Sequence, residues 1–410
     1  MNLCKGRKQG NIKAVTKGIA QWEITDSIEA TDKKTWNELA GNKHFLKADY
    51  LLALEESKIA GFAYRYVLVS ENKKPMAALY FQLVDLSSKD AGSIVNMHQY
   101  GKIMQAIASG INDLLLNGKK FSGNFLLVCG NLLVTGNHGI GCPPDKISKV
   151  FDFLTDVIDS LTEEIEKLKG RVVSVLVKDF YEEEMQAASL LENSGFNPLR
   201  IDPNMKVFIR PEWKTFDDYL QSLSAKYRLR AKNTKELCSG LVIKEFEVEE
   251  IKKHASEIED LYVQVAGKAP VLIVRANAGF FIAMKKRLKE HYRFRSYFKN
   301  GKMVAFTSGY YYDVLEAHFI GMNYHLHKEH QLYQFILYDF IECAIRNRNK
   351  ELIYGRTAIE IKSTVGAVPF ELTAYLKINS AILHRVVGAV LPFFRNDKYI
   401  IRNPYKELKE

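Results

Sequence analysis

The stretch Tyr292–Gly366 constrains the fold more than any other part of the chain. Tyr292–Phe298 alternates and is rich in aromatics, and Asn300-Gly301 is a turn signal. Val304–Tyr312 and Val314–Met322 again read as strands, with a break near Asp313. Leu332–Ile345 is long and apolar enough for a helix. Its Asp339, Glu342 and Arg346 recur at steps of three and four, which leaves a narrow polar stripe on a buried rod. Glu351–Ile361 predicts one more strand, and the polar run ending at Gly366 closes the unit. Hairpin, helix and strand in this order predict a mixed α/β domain.

With 410 residues the chain exceeds one comfortable core, so two domains are expected. A hydrophobic content of 47%, with 21 Tyr and 23 Phe, predicts folded structure rather than disorder. No apolar run reaches the ~18 residues that span a bilayer. The opening MNLCKGRKQGNIK has charge but no apolar core behind it, so a cytoplasmic protein is expected, with a peripheral place at the inner membrane face as an option. Cys4, Cys129, Cys142, Cys238 and Cys343 show no paired metal spacing and read as reduced thiols. The net charge of +10 suits an anionic partner, although a basic soluble surface would produce it too.

Before that stretch, residues 1–35 read as a loose polar lead-in, and Trp36–Glu56 as a helical region interrupted at AGNKH, with Asp49 capping its second part. Tyr64–Ser70 and Pro75–Asp85 make a hairpin around a polar turn. Ile103–Leu116 is an expected helix, Asn124–Val134 a buried strand, Asp145–Leu168 a one-faced amphipathic helix and Arg171–Lys178 a strand. Glu182–Asn193 reads as a helix stopped by Gly195, and Phe196–Ile209 ends the half. The second half then runs as helix Phe216–Leu237, strand Val242–Val248, helix Ile251–Val265 and helix Phe280–Glu290. The two halves, 1–210 and 211–410, match in element order without a residue-level repeat.

Three places could carry chemistry. In GNHGIG, Gly136, Asn137, His138, Gly139 and Gly141 follow a strand and precede a helix. Glycines there let the backbone approach a ligand, and the helix start offers N–H groups to a pyrophosphate. An ordinary strand-to-helix loop is the alternative. Glu316 and His318 share one face of a strand by period two and could take a proton from an attacking amine. A solvated strand face is the alternative. Tyr354, Arg356, Glu360 and Lys362 would align along the last strand and could hold an anionic substrate, unless that strand is an exposed edge. His325, His327 and His330 sit in a loop without a partner motif, so no metal is expected. Lys226, Arg228, Arg230, Lys232 and Lys235 make a basic helix that suits phosphate contacts to CoA, to a lipid head group or to RNA, or a solvated face. No nucleic-acid module is present in the sequence, and a nucleic-acid partner is not expected.

The segments ENSGFNPLRIDPNMKVFI and YLQSLSAKYRLRAKNTKEL, and the run from FRSYF to STVGA, together resemble the tandem GNAT-type N-acyltransferases, in their Fem-like group associated with peptidoglycan or lipid. The resemblance spans most of residues 50–375. It implies an α/β fold of two tandem GNAT-like mixed α/β domains, and transfer of an acyl group from acyl-CoA to an amine of a lipid, sphingoid or cell-envelope precursor. It assigns the donor to the glycine loop of the first half. Glu316 and His318 take the catalytic role there, and Tyr354, Arg356, Glu360 and Lys362 the substrate side. The GNAT cofactor signature opens with Arg or Gln, where this chain has Gly136. Two other readings stay open: a Fem-like transferase using aminoacyl-tRNA, and a GNAT-fold module that binds without catalysis.

Overall fold

The computed structural model describes residues 13–17, 20–86, 123–168, 170–267, 275–326, 331–381, 384–385 and 399–406. The helix expected at Ile103–Leu116, and also His327 and His330, lie outside them. The chain forms two compact units. The first holds described residues up to Ile201 with those of Pro270–Ala276 and Leu372–Arg395, and the second holds Asp202–Ala269, Asn277–Glu371 and the C-terminal segment. The division falls inside an expected strand rather than at residue 210, and the chain returns to its first unit late.

Among the described residues the first unit opens on strands β1 (Lys13–Lys17) and β2 (Ala20–Thr25), where a loose lead-in is expected; residues 1–12 of that expected lead-in lie outside the described residues. Trp22 and Ile24 are buried, which ties this polar stretch to the core. The Asp32 side chain accepts the Lys34 and Thr35 N–H groups and starts helix α1 (Lys33–Ala40). Helix α2 (Ala48–Ser57) follows, with Lys47 rather than Asp49 at its N-cap. β3 (Phe62–Glu71) and β4 (Lys74–Asp85) pair through a two-residue turn in which Asn72 and Lys73 both take positive φ. That turn matches the twist of the strands it joins. β5 (Asn124–Cys129) ends five residues before the expected Val134. β6 (Ile140–Gly141) pairs with β4. Helix α3 (Ile147–Lys167) buries Val150, Phe151, Leu154, Val157, Ile158, Leu161 and Ile165, the face read from the sequence. It crosses over to β7 (Arg171–Phe180), parallel to β5. The single helix expected at Glu182–Asn193 is short helical pieces, among them α4 (Met185–Ala188).

The second unit spreads its sheet in the order β8 (Asn197–Phe208, from Asp202 on), β13 (Glu351–Ile353), β12 (Val314–Met322), β11 (Lys302–Tyr311), β10 (Tyr292–Lys299) and β9 (Val242–Phe246). Among the described residues β12–β13 is parallel, and the pairs β8–β13, β12–β11, β11–β10 and β10–β9 are antiparallel. The helix expected at Phe216–Leu237 breaks at Leu223–Ser224 into α5 (Phe216–Ser222), with a Thr215–Asp218 capping box, and α6 (Ala225–Leu237). α7 (Val248–Lys253), α8 (Ala255–Ala266) and α9 (Ala278–Leu288) precede the β10–β11 hairpin. Its turn is the Asn300-Gly301 pair, both at positive φ.

Helix α10 (Leu332–Arg346) is buried on nearly every side. Its polar stripe is spent internally. Asp339 accepts two hydrogen bonds from Arg295, at 3.1 and 2.9 Å, and one from Tyr297 at 2.6 Å. Glu342 pairs with Lys235 at 2.6 Å. The Asp339–Arg295 pair is the buried one, and buried charge persists only when fully partnered. The strand expected to run to Ile361 stops at Ile353, and Ile359–Ser363 is helix α11.

Candidate functional site

Among the described residues each unit contains a parallel strand pair, and the second unit's pair opens. β12 and β13 align at three positions, Val314↔Glu351, Leu315↔Leu352 and Glu316↔Ile353, and then part. β12 runs on to Met322, paired with β11 alone. β13 turns toward β8 instead: the Tyr354 N–H donates to the Met205 carbonyl at 2.8 Å, and the Met205 N–H to the Gly355 carbonyl at 3.2 Å. The result is a fork with one wall of β12 backbone at Ala317–Met322. No strand pairs that wall on the fork side among the described residues.

Lys362 holds the other wall. It is 3% exposed, and its ammonium donates to the carbonyls of Tyr354 at 2.8 Å, Gly355 at 3.1 Å and Arg356. Burial pulls its pKa down to about 7, against the pull of Asp202 in the other direction. The three carbonyls cap the turn that carries the chain away from β12. Thr357 and Ala358 in this turn take positive φ, which costs energy and needs such fixing. The four side chains expected on one strand face therefore separate. Tyr354 is buried and donates to the Leu337 carbonyl at 2.5 Å. Lys362 lies on α11 and faces inward, while Glu360, also on α11, is exposed and accepts the Ile400 N–H at 3.1 Å. Arg356 is half-buried in the turn.

At the fork the alternation of β12 is also broken. Thr307 faces Ile320 but Gly309 faces Ala317, so His318 and Phe319 together oppose Ser308. The Phe319 N–H donates to the Ser308 hydroxyl oxygen at 3.1 Å. This bulge sets two successive rings, His318 and Phe319, each with its centroid 5.6 Å from that of Phe280. His318 also lies 4.9 Å from the Tyr310 ring. Glu316 is half-buried on the last paired position, at the base of the fork. The period-two argument alone does not give this arrangement. Gly309 inside a strand was the available signal, since an interior strand glycine marks bulges.

The first unit's parallel pair stays closed. β5 and β7 align from Asn124↔Arg171 to Cys129↔Val177. Beyond them Lys178, 2% exposed, donates to the Asn131 carbonyl at 2.8 Å, the Val134 carbonyl at 2.9 Å and the Asp179 carboxylate at 2.5 Å. Asp179 also accepts the Gly136 N–H at 3.2 Å. The chain leaving β5 is thus bound across the end of β7.

The glycine loop differs from an open phosphate cradle. A Cβ at Gly139 would lie 2.5 Å from the Gly130 nitrogen, and one at Gly141 2.8 Å from Leu46. Both glycines serve close packing of the protein on itself. The Gly139 carbonyl accepts the Tyr80 N–H at 2.8 Å, and Asn137 donates to Glu184 at 2.8 Å. The His138 ring bonds the Thr135 carbonyl at 3.0 Å, and burial drives its pKa down to about 3. The Lys178–Asp179 clamp escaped sequence reading. A Lys-Asp pair at the end of a buried strand was its only trace.

A recess of about 480 Å³ in the second unit, between β9, α9 and β10, is lined by Glu245, Glu247, Lys285 and Arg293 among others. Four of its charges pair, Lys285 with Glu247 at 2.9 Å and Arg293 with Glu245 at 3.6 Å. The fork sets Glu316 and His318 on a strand whose backbone no described strand covers on the fork side, and is the better candidate.

No protein-family model matches the chain, and no curated protein sequence matches it. Solved structures do. A tandem GNAT protein from the clavulanic acid biosynthesis pathway, without AcCoA, superposes with a TM-score of 0.52 at 9% identity, over 88% of this chain and 99% of that one. FemX gives a TM-score of 0.49 at 11% identity, over 82% of this chain and 94% of that one. The L-PGS of Bacillus licheniformis gives 0.43 at 10% identity, over 83% and 92%. At such identities the likeness is one of fold, and the fold of this chain is that of a tandem GNAT-like protein, with two mixed α/β units.

Proposed function

We propose that the protein is an N-acyltransferase that takes an acyl group from acyl-CoA, binds this donor in the fork of the second unit, and passes it to an amine. The observation that carries the reading is the parting of β12 from β13 after three paired positions. The arm of an acyl-CoA contains amides, and the Ala317–Met322 wall presents strand backbone on the fork side. A strand edge recognises an amide-bearing arm as it would an added strand. The tandem GNAT-like fold supports the same chemistry by analogy, since fold alone does not fix function.

In the transfer, the amine nitrogen attacks the thioester carbonyl carbon, the C–N bond forms, and the C–S bond breaks to release the thiol. Glu316, at the base of the fork, or His318, one step along the open wall, accepts the proton that the amine loses; the departing thiolate takes one up. Backbone N–H groups of the open wall stabilise the oxyanion. Lys362 and Tyr354 position the opposite wall, and Arg356 and Glu360 reach the surface on the acceptor side. The acceptor is an amine of a lipid, sphingoid or cell-envelope precursor.

The test is hydrogen exchange and thermal unfolding with CoA, acetyl-CoA and long-chain acyl-CoA. Protection of 317–322 and a raised unfolding temperature are expected. Protection confined to 136–141 would return the donor to the first unit. No response to any donor would sink the acyl-CoA reading. The Glu316→Gln/His318→Asn variant should fold and bind donor yet lose thiol release by about 10²–10⁴; full activity would remove both from the base role.

A further inference from the structure

We infer that the outer face of helix α6 is a docking surface for an anionic lipid bilayer. The basic helix was one sequence feature, but the structure divides its five cations. Lys235 turns inward, pairing with Glu342 at 2.6 Å and lying 4.1 Å from the Phe216 ring centre. Arg228 is half-buried and directed at the Leu223 carbonyl, 3.4 Å away. Lys226, Arg230 and Lys232 remain exposed.

The apolar side chains are the second observation. Lys226, Leu229, Asn233 and Leu237 succeed one another at steps of three and four, and Arg230 stands four residues after Lys226, so they share the solvent face of α6. Leu229 is 60% exposed and Leu237 48%. Val242, just past the helix, is 55% exposed. Of the eight large apolar side chains exposed among the described residues, three fall within these fourteen positions. A merely solvated helix face has no use for leucines at its centre. With cations beside them and a single acid, Glu236, on the exposed arc, the face offers positive charge to an anionic surface and isolated leucines to what lies beneath it. RNA fits less well. Its single strands need exposed rings for stacking, and the one aromatic here, Tyr227, is half-buried against the core. Charge complementarity thus calls for an anionic surface, and the leucines call for one with hydrocarbon beneath it.

The test is co-sedimentation with vesicles of phosphatidylcholine alone or with 30% phosphatidylglycerol, in ~0.1 M and ~0.5 M salt. It needs no turnover, so it stands or falls apart from the transfer reaction. Binding is expected only to the anionic vesicles, weakened at high salt. A cation near such a surface contributes about fivefold, so Lys226→Ala/Arg230→Ala/Lys232→Ala should weaken binding about a hundredfold. Leu229→Ser/Leu237→Ser should weaken it about tenfold with the salt dependence kept. All these side chains are exposed, and unchanged thermal unfolding will show that the variants fold. Equal binding to neutral vesicles, no vesicle binding, or binding that neither variant changes would overturn the proposal. So would binding to a single-stranded RNA probe that anionic vesicles do not displace.

Discussion

The two parallel strand pairs, β5–β7 in the first unit and β12–β13 in the second, start alike and end differently. Both join a crossover helix to a buried strand, and in both a lysine ammonium is spent on backbone carbonyls. Lys178 uses its bonds to bind the departing chain across the pair and keep it shut. Lys362 uses its bonds to hold one strand's continuation away from the other. One kind of contact closes a cleft in one unit and opens it in the other. What decides is which carbonyls lie within reach, and that depends on loop path rather than on the lysine.

The largest effect should come from breaking the closed side. Lys178→Met leaves the Asp179 carboxylate buried without its cation and should destabilise the first unit by about 3–5 kcal/mol in urea unfolding. The second unit's transition should stay in place. If both transitions move together, the two clamps do not act separately. A smaller loss is expected on the open side. Lys362→Met leaves three carbonyls unsatisfied and should cost about 2–3 kcal/mol. It should also raise the donor KM more than it lowers kcat, because it disturbs a wall rather than a reacting group. An unchanged KM would separate Lys362 from the fork.

The smallest effect is a pH dependence confined to the first unit. The folded unit holds His138 neutral down to about pH 3, against an ordinary value of 6.5. Between these values the unfolded chain takes up the proton and the folded one does not, so stability falls as pH drops through the window. We expect a loss of about 1–3 kcal/mol by pH 4. In His138→Asn this slope should be gone, and a slope that persists would assign it to other groups.

Much of this frame is legible in the sequence because local chemistry wrote it. The Asn300-Gly301 turn, the one-faced helix Ile147–Lys167 and the apolar rod Leu332–Arg346 form as their patterns demand. The errors arise where tertiary contacts outvote local pattern. Lys13–Lys17 and Ala20–Thr25 look polar, yet pair as strands because alternate side chains such as Trp22 and Ile24 reach the core. Tyr354–Lys362 alternates like a strand, but the carbonyls gathered around Lys362 bend it into a turn and a helix. The glycines of GNHGIG suit a ligand and suit close packing equally, and only the 2.5 Å approach at Gly139 decides between them. Period-two reasoning sets Glu316 and His318 along one strand, but it does not give the bulge at Ser308 that shapes their surroundings.

The late return of the chain to its first unit has a consequence for synthesis. Strand β14 (Val368–Ile378) enters that unit at Leu372; it pairs through Thr373–Ile378 with β7, and Asn379 adds two more hydrogen bonds to Val172 and Val173. During translation β7 therefore emerges roughly 190 residues before its neighbour, a delay of ~10–40 s at common elongation rates. Throughout that interval the edge that β14 will cover stays open, and an uncovered apolar edge is a template for another chain. A nascent chain halted at residue 210 has the sequence of half a protein but not a finished sheet. Expressing that half alone should give aggregate, and supplying the distant strand in cis should cure it.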